Sequence, residues 1–215
     1  MRTRALLLAL LPLAWLAGCG PGEVPNLQSS GTTVVCLGDS ITAGVGARPE
    51  ESYPAHLEAL LGVPVVNAGV PGDTTADALA RLGGVLAHDP WLVIVELGGN
   101  DLLRRRPVAD AEADLAALVE GLLAAGSAVV LVETRAPLFG GAYDELSATV
   151  ARRFDLPLVG EVVGEVLGDP ARKSDQIHPN AAGYRDIARA VAHVVEPLLR
   201  ERRRLGLPVA PPEAA

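Results

Sequence analysis

Short apolar runs alternate with longer stretches in which apolar residues recur every three or four positions. The short runs fall at residues 33–37, 63–66, 92–97, 128–133 and 156–159. Their near-continuous apolar character predicts strands buried on both faces. Helical spacing covers residues 53–61, 75–87, 108–125 and 142–154, with Leu115, Leu118, Val119 and Leu122 on one face of the third. A final helix is predicted to open at Asn180, a good N-cap, and to carry Tyr184, Ile187, Val191 and Val194 along one side. Pro197 is predicted to kink or end it, because proline lacks an N–H and crowds the preceding turn. Strand and helix in strict alternation imply parallel strands joined by right-handed crossovers. The predicted class is α/β, a three-layer α/β/α sandwich on a five-stranded parallel sheet, with no internal repeat.

The first residues break this pattern. Arg2 and Arg4 precede an apolar run from Ala5 to Leu16, followed by Leu16-Ala17-Gly18-Cys19. A charged start, a short apolar run and small residues read as a secretory signal peptide over residues 1–18. The run is too short to span a bilayer, which takes ~20 residues. The residues before Cys19 resemble the bacterial lipobox, which implies that Cys19 is lipidated and becomes the mature N-terminus; the other reading is ordinary signal cleavage or a short anchor, with Cys19 incidental. Residues 19–31, polar and rich in Pro, Gly and Ser, read as a tether. One domain is expected over residues 32–201, and residues 202–215 read as a fraying tail. The chain is then expected in the bacterial cell envelope, exported and anchored by lipid at the periplasmic or extracellular face.

Composition narrows the partners. Hydrophobic residues make up 49% of the 215 and aromatics only 3%, so the core must be built from Val, Leu, Ala and Ile. The formal charge of -8 leaves no basic face for a phosphate backbone, so nucleic acid is not an expected partner. The dense cationic runs are Arg104 to Arg106 and Arg202 to Arg204. Of the two cysteines, Cys36 lies in a strand-like apolar run and is expected as a small core hydrophobe, with no disulfide.

In a parallel sheet, sites form at the carboxyl ends of the strands. That rule selects Gly38-Asp39-Ser40, Asn67-Ala68-Gly69 and Gly98-Gly99-Asn100-Asp101. Ser40, at a strand-to-helix junction, can be a helix cap or a nucleophile. Asp175-Gln176-Ile177-His178-Pro179-Asn180 offers an imidazole base and a carboxylate to orient it within one turn, or else a capped surface loop. Gly72 offers a backbone N–H and Asn100 a side-chain amide to a developing oxyanion, although both also suit plain turns. Asp73 and Asp101 read as structural, a cap and a turn former. His56, His88 and His193 receive no role. The chain lacks the Gly-x-Ser-x-Gly elbow of ordinary α/β-hydrolases.

These pieces in this order resemble the GDSL, or SGNH, hydrolase family. Gly38-Asp39-Ser40 matches its first block, Gly72 the second, Gly98 to Asp101 the third, and Asp175 to His178 the last. Ile41 stands where the family's name has leucine. The stretch Glu96 to Asp101 and the Gly72-Asp73-Thr74 step resemble the bacterial arylesterase, thioesterase and lysophospholipase branch. The resemblance implies a flavodoxin-like sandwich and a serine esterase acting on carboxylic esters, thioesters or lysophospholipids. It implies that Ser40 attacks, His178 serves as base and then acid, and Asp175 orients His178. Ser40, Gly72 and Asn100 would form the oxyanion hole, with no metal or organic cofactor. Arg104 to Arg106 would meet a lysolipid phosphate or form a solvated turn before Pro107. Two other readings stand beside this one: an O-acetylesterase acting on glycans, and a non-catalytic lipoprotein that only binds a ligand.

Overall fold

The computed structural model describes residues 24–135 and 141–209. The strands are β1 (Thr33–Gly38), β2 (Val65–Gly69), β3 (Pro90–Glu96), β4 (Ala128–Val132) and β5 (Leu158–Val159). They form one five-stranded parallel sheet in the order β2-β1-β3-β4-β5. This is the flavodoxin-like order, in which the chain reverses direction of winding between β1 and β3 and opens a crevice there. The central strand β3 is buried at every position, whereas the edge strand β2 is only partly buried.

The helices among the described residues are α1 (Ser40–Ala43), α2 (Tyr53–Leu61), α3 (Thr75–Ala80), α4 (Leu82–Leu86), α5 (Gly99–Leu103), α6 (Val108–Ala124), α7 (Leu146–Phe154), α8 (Val162–Gly168) and α9 (Ala181–Arg204). Alternation along each strand sends side chains to opposite layers. Val34, Cys36, Leu92 and Ile94 pack on the layer that holds α2, α8 and α9. Val35, Leu37, Val93 and Val95 pack on α3, α4, α6 and α7. The predicted sandwich and its sheet are therefore as expected, and Cys36 is a buried thiol whose pKa burial pushes up to about 12.

Boundaries differ where local forces intervene. The expected helix at 75–87 divides at Arg81, which leaves the axis to pair with Asp73, and Gly83-Gly84 lowers helix propensity just beyond. The helix expected after Ser40 is the short α1, whereas α5 and α8 are absent from the sequence reading because periodicity needs a window of about 11 residues. Val195 rather than Val194 lies fully on the buried stripe of α9.

Pro197 does not end α9, which continues to Arg204. A proline inside a helix costs about 3 kcal/mol. The turn beyond it is held by Arg202, whose guanidinium donates to the carbonyls of Leu27, Ser29, Gly31 and Pro208 at 2.7–3.1 Å. At about 1 kcal/mol or more per bond, these offset the proline. Arg202 also stacks on buried Trp91, 4.6 Å from the ring centre.

The folded unit thus runs past both expected domain boundaries. Val24 is buried, and Asn26 donates to the carbonyls of Leu123 and Ser127 at 2.7 and 3.1 Å, so residues 24–31 are packed rather than a free tether. Residues 202–209 are likewise held through Arg202. The predicted signal peptide, Cys19 and residues 210–215 lie outside the described residues.

Candidate active site

The crevice between β1 and β3 collects the loops that the sequence singled out. Gly38 ends β1 opposite Glu96 of β3, and a Cβ on Gly38 would lie 2.1 Å from Thr42 Oγ1 and 2.5 Å from the Glu96 carbonyl. Only glycine lets α1 start this close to the sheet. Asp39 caps α1 by accepting the Ile41 N–H at 3.0 Å, so the cap is Asp39 and not Ser40. Ser40 is left free at the first position of the helix.

From the other end of the chain, a tight loop delivers the imidazole. Lys173 bridges Pro179, Ser174 N–H donates to the His178 carbonyl, and Asn180 caps α9. Asp175 Oδ1 accepts the N–H groups of Ile177 and His178, both at 2.9 Å. Its Oδ2 lies 2.8 Å from His178 Nδ1, and His178 Nε2 lies 3.0 Å from Ser40 Oγ. The alternative of a capped loop with a solvated imidazole is therefore half right: Asp175 caps the turn with one oxygen and meets the ring with the other. The hydrogen bond from His178 holds the Asp175 carboxyl below the usual carboxylate range. The His178 side chain is mostly shielded, at 15% exposure.

The candidate oxyanion donors arrive from the β2 and β3 loops. Gly72 has a φ of +91°, a conformation that favours glycine. No backbone carbonyl among the described residues takes the N–H of Gly72 or of Ser40. Asn100 lines the same cavity as Ser40, but its amide nitrogen already donates to Asp39 Oδ2 at 2.9 Å and to the Asp73 carbonyl at 3.0 Å. The cavity beside Ser40 measures about 60 Å³ and is walled by Ile41, Leu102, Leu103, Leu167 and Ile177, with Arg135 at its edge.

Several expectations change. Thr74, not Asp73, caps α3, in a reciprocal arrangement with Asp77. Asp73 pairs with Arg81 at 2.6 Å. Asp101 is structural as read, but as a buried acceptor and not a turn former: it is fully buried, accepts the N–H and hydroxyl of Thr75 at 2.9 and 2.8 Å, and bonds Arg106. Arg104 and Arg105 do lie in an exposed turn before Pro107, whereas Arg106 is partly buried. Arg104 donates to the Gly72 carbonyl at 2.6 Å, and Arg106 also reaches Asp114 at 2.7 Å.

Sequence reasoning assigned nothing to Asp39 or Glu96. Both carboxyls are buried, and they lie close enough for each to act on the ionisation of the other. Burial pushes Asp39 up to about 6, and burial followed by the Asp39 charge pushes Glu96 well above the carboxylate range. The available signal was a lone acid in the otherwise apolar strand β3, since buried polar groups are the informative exceptions.

The family model of the GDSL-like lipase/acylhydrolases matches residues 36–185. The chain is 35% identical over 176 residues to the thioesterase 1/protease 1/lysophospholipase L1 of Escherichia coli (strain K12), covering 78% of this chain and 85% of that protein. It is 34% identical over 198 residues to the esterase TesA of Pseudomonas aeruginosa, covering 86% and 98%. The crystal structure of TesA superposes with a TM-score of 0.72 at 34% identity, across 78% of this chain and 99% of that one. By this match and these relatives, the chain belongs to the GDSL-like lipase/acylhydrolase family and is a serine hydrolase of carboxylic esters.

Proposed function

We propose that the enzyme cleaves small carboxylic esters by attack of Ser40 Oγ on the acyl carbon. The reading is carried by the unbroken line from Ser40 Oγ through both ring nitrogens of His178 to Asp175 Oδ2. His178 Nε2 takes the serine proton as the C–O bond forms, then returns it to the departing alcohol. Water repeats the cycle to release the acid. Asp175 keeps the proton-bearing nitrogen turned away from Ser40 and stabilises the imidazolium. The N–H groups of Ser40 and Gly72 receive the oxyanion. Asn100 completes the hole by exchanging its bond to the Asp73 carbonyl for one to the new charge, because a charged acceptor makes the stronger bond.

The apolar walls and small volume of the cavity favour short acyl or aryl groups over long chains. Replacing Ser40 with alanine is expected to abolish hydrolysis of a chromogenic short-chain ester while the circular dichroism spectrum stays unchanged. Retained turnover would overturn the mechanism. Labelling of Ser40 by a fluorophosphonate separates this reading from a ligand-binding lipoprotein, and acetate release from acetylated glycan without action on other esters would move the substrate class to O-acetyl groups.

The same reading places the enzyme in the bacterial envelope, anchored through lipid on Cys19. It is supported by the order of charge, apolar run, small residues and cysteine. Gly31 and the Arg202 contacts lie at the amino end of β1, whereas Ser40 lies beyond its carboxyl end. Six residues of strand separate them, about 20 Å. An anchor on that side would turn the crevice away from the membrane. Cys19→Ala is expected to release the protein from membranes into the soluble fraction. Unchanged retention would sink the lipid anchor.

A further inference from the structure

Behind the oxyanion hole, Asp39 and Glu96 form a pair of buried carboxyls that the proposed hydrolysis does not use directly. Asp39 is 2% exposed and Glu96 is inaccessible. Register pairs Gly38 with Glu96, so the acid closing β3 sits beside the turn that leads into Ser40. Thr42 and Thr134 hydroxyls donate to the Glu96 carboxyl at 3.2 and 3.1 Å. Asp39 takes N–H donors instead, from Ile41 at 3.0 Å and from the Asn100 amide at 2.9 Å.

A hydrogen bond between two carboxyls requires a proton on one of them, and two adjacent buried charges repel in a medium of low dielectric. Two N–H donors favour the charged form on Asp39. Glu96 sits deeper and has only hydroxyl donors, so the proton resides there. Burial and the Asp39 charge act in the same direction on Glu96.

We propose that Glu96 is a positioning residue for the ester hydrolysis described above: as a neutral acid it donates to Asp39, leaving a single carboxylate charge that holds the Asn100 amide in the oxyanion hole. The donor chain runs from Thr134 after β4, through Glu96 of β3, to Asp39 after β1, and Asn100 closes it from the start of α5. It ties together the strand ends that carry the site. Because the oxyanion exists only after attack, loss of this support should appear in kcat and not in KM.

The test rests on the esterase reading and compares wild type, Glu96→Gln, Glu96→Leu and Asn100→Ala on a chromogenic short-chain ester, with melting curves for each. Glu96→Gln keeps a neutral donor to Asp39 and is expected to retain kcat within about 3-fold, whereas Glu96→Leu is expected to lose about 10- to 100-fold at a KM within about 2-fold. In an Asn100→Ala background, Glu96→Leu should cost almost nothing more, since both changes remove one contact. Unchanged kcat in Glu96→Leu, a loss in Glu96→Gln as large as in Glu96→Leu, or full additivity with Asn100→Ala would each overturn the assignment. Should Glu96→Leu fail to fold, Glu96→Met supplies the same comparison with a chain of similar length. A wild-type enzyme that neither hydrolyses esters nor takes up fluorophosphonate would sink the esterase reading itself. Active wild type with indifferent Glu96 variants would sink only the positioning role.

Discussion

Asp175 grips His178 twice, through its backbone N–H at 2.9 Å and through ring Nδ1 at 2.8 Å. The two carboxylate oxygens divide the work. One shapes the loop that carries the imidazole, and the other sets the direction in which the imidazole faces Ser40. Loop geometry and tautomer are thereby coupled in a single side chain.

Asp175→Asn separates these two roles. The remaining carbonyl oxygen can still accept the N–H groups of Ile177 and His178, so the loop should persist. An amide opposite Nδ1 favours the wrong tautomer, and kcat is expected to fall on the order of 10⁴-fold with the melting temperature little changed. Steady-state kinetics beside a melting curve check this. A large drop in stability would show that the turn, and not the tautomer, is what Asp175 governs.

Asp39→Asn should trade activity for stability. Burial raises Asp39 from 3.8 to about 6 in the folded protein. Between those values the folded chain binds more protons than the unfolded chain, so this group's contribution to stability declines as pH rises through that window. The full cost, of about 3 kcal/mol, is present above pH ~6. The variant is expected to melt several degrees above wild type at pH 8, with the gain shrinking by pH 5, and to turn over more slowly because Asn100 loses its charged acceptor. Melting curves at the two pH values decide it, and a variant no more stable at pH 8 contradicts the account.

Gly72→Ala tests the oxyanion loop. Its φ of +91° strains any residue with a Cβ, although the space is open, with only Arg104 Nη2 at 3.7 Å. The expected cost is about 1 kcal/mol of stability together with a kcat loss of 10-fold or more, because relief of strain rotates the N–H away. Arg104→Ala, which frees the Gly72 carbonyl, should lower kcat more mildly in the same direction. Equal kcat in both variants and wild type would remove Gly72 from the hole.

Arg202→Leu should damage the fold and spare the chemistry. Four carbonyls and the Trp91 face lose their cation at the end of the molecule remote from Ser40. A loss of about 3 kcal/mol or more is expected from denaturant titration, with kcat per folded molecule unchanged. A stable variant would show that residues 24–31 and the end of α9 are held by apolar packing alone.

The alternation of short, near-continuous apolar runs with longer stretches of helical spacing determined the class of fold, because strands joined by crossover helices are buried on both faces. Short polar residues after β1 and β3, and an acid three residues before His178, made the candidate line of Ser40, His178 and Asp175 legible before any geometry. Other features were not legible. Pro197 read locally as a stop, yet the turn beyond it is held by carbonyls more than 170 residues away in sequence. Arg104 stays largely exposed as its charge suggests, yet it also holds the Gly72 carbonyl, and Arg106 joins Asp101 to Asp114 on the following helix. Asp39 and Glu96 lie 57 positions apart, and whether two acids share one proton depends on their separation and their distance from water. Periodicity reports which face a residue turns to the core. Only the assembled sheet decides which charges meet there, because pairing and desolvation arise between elements and not within them.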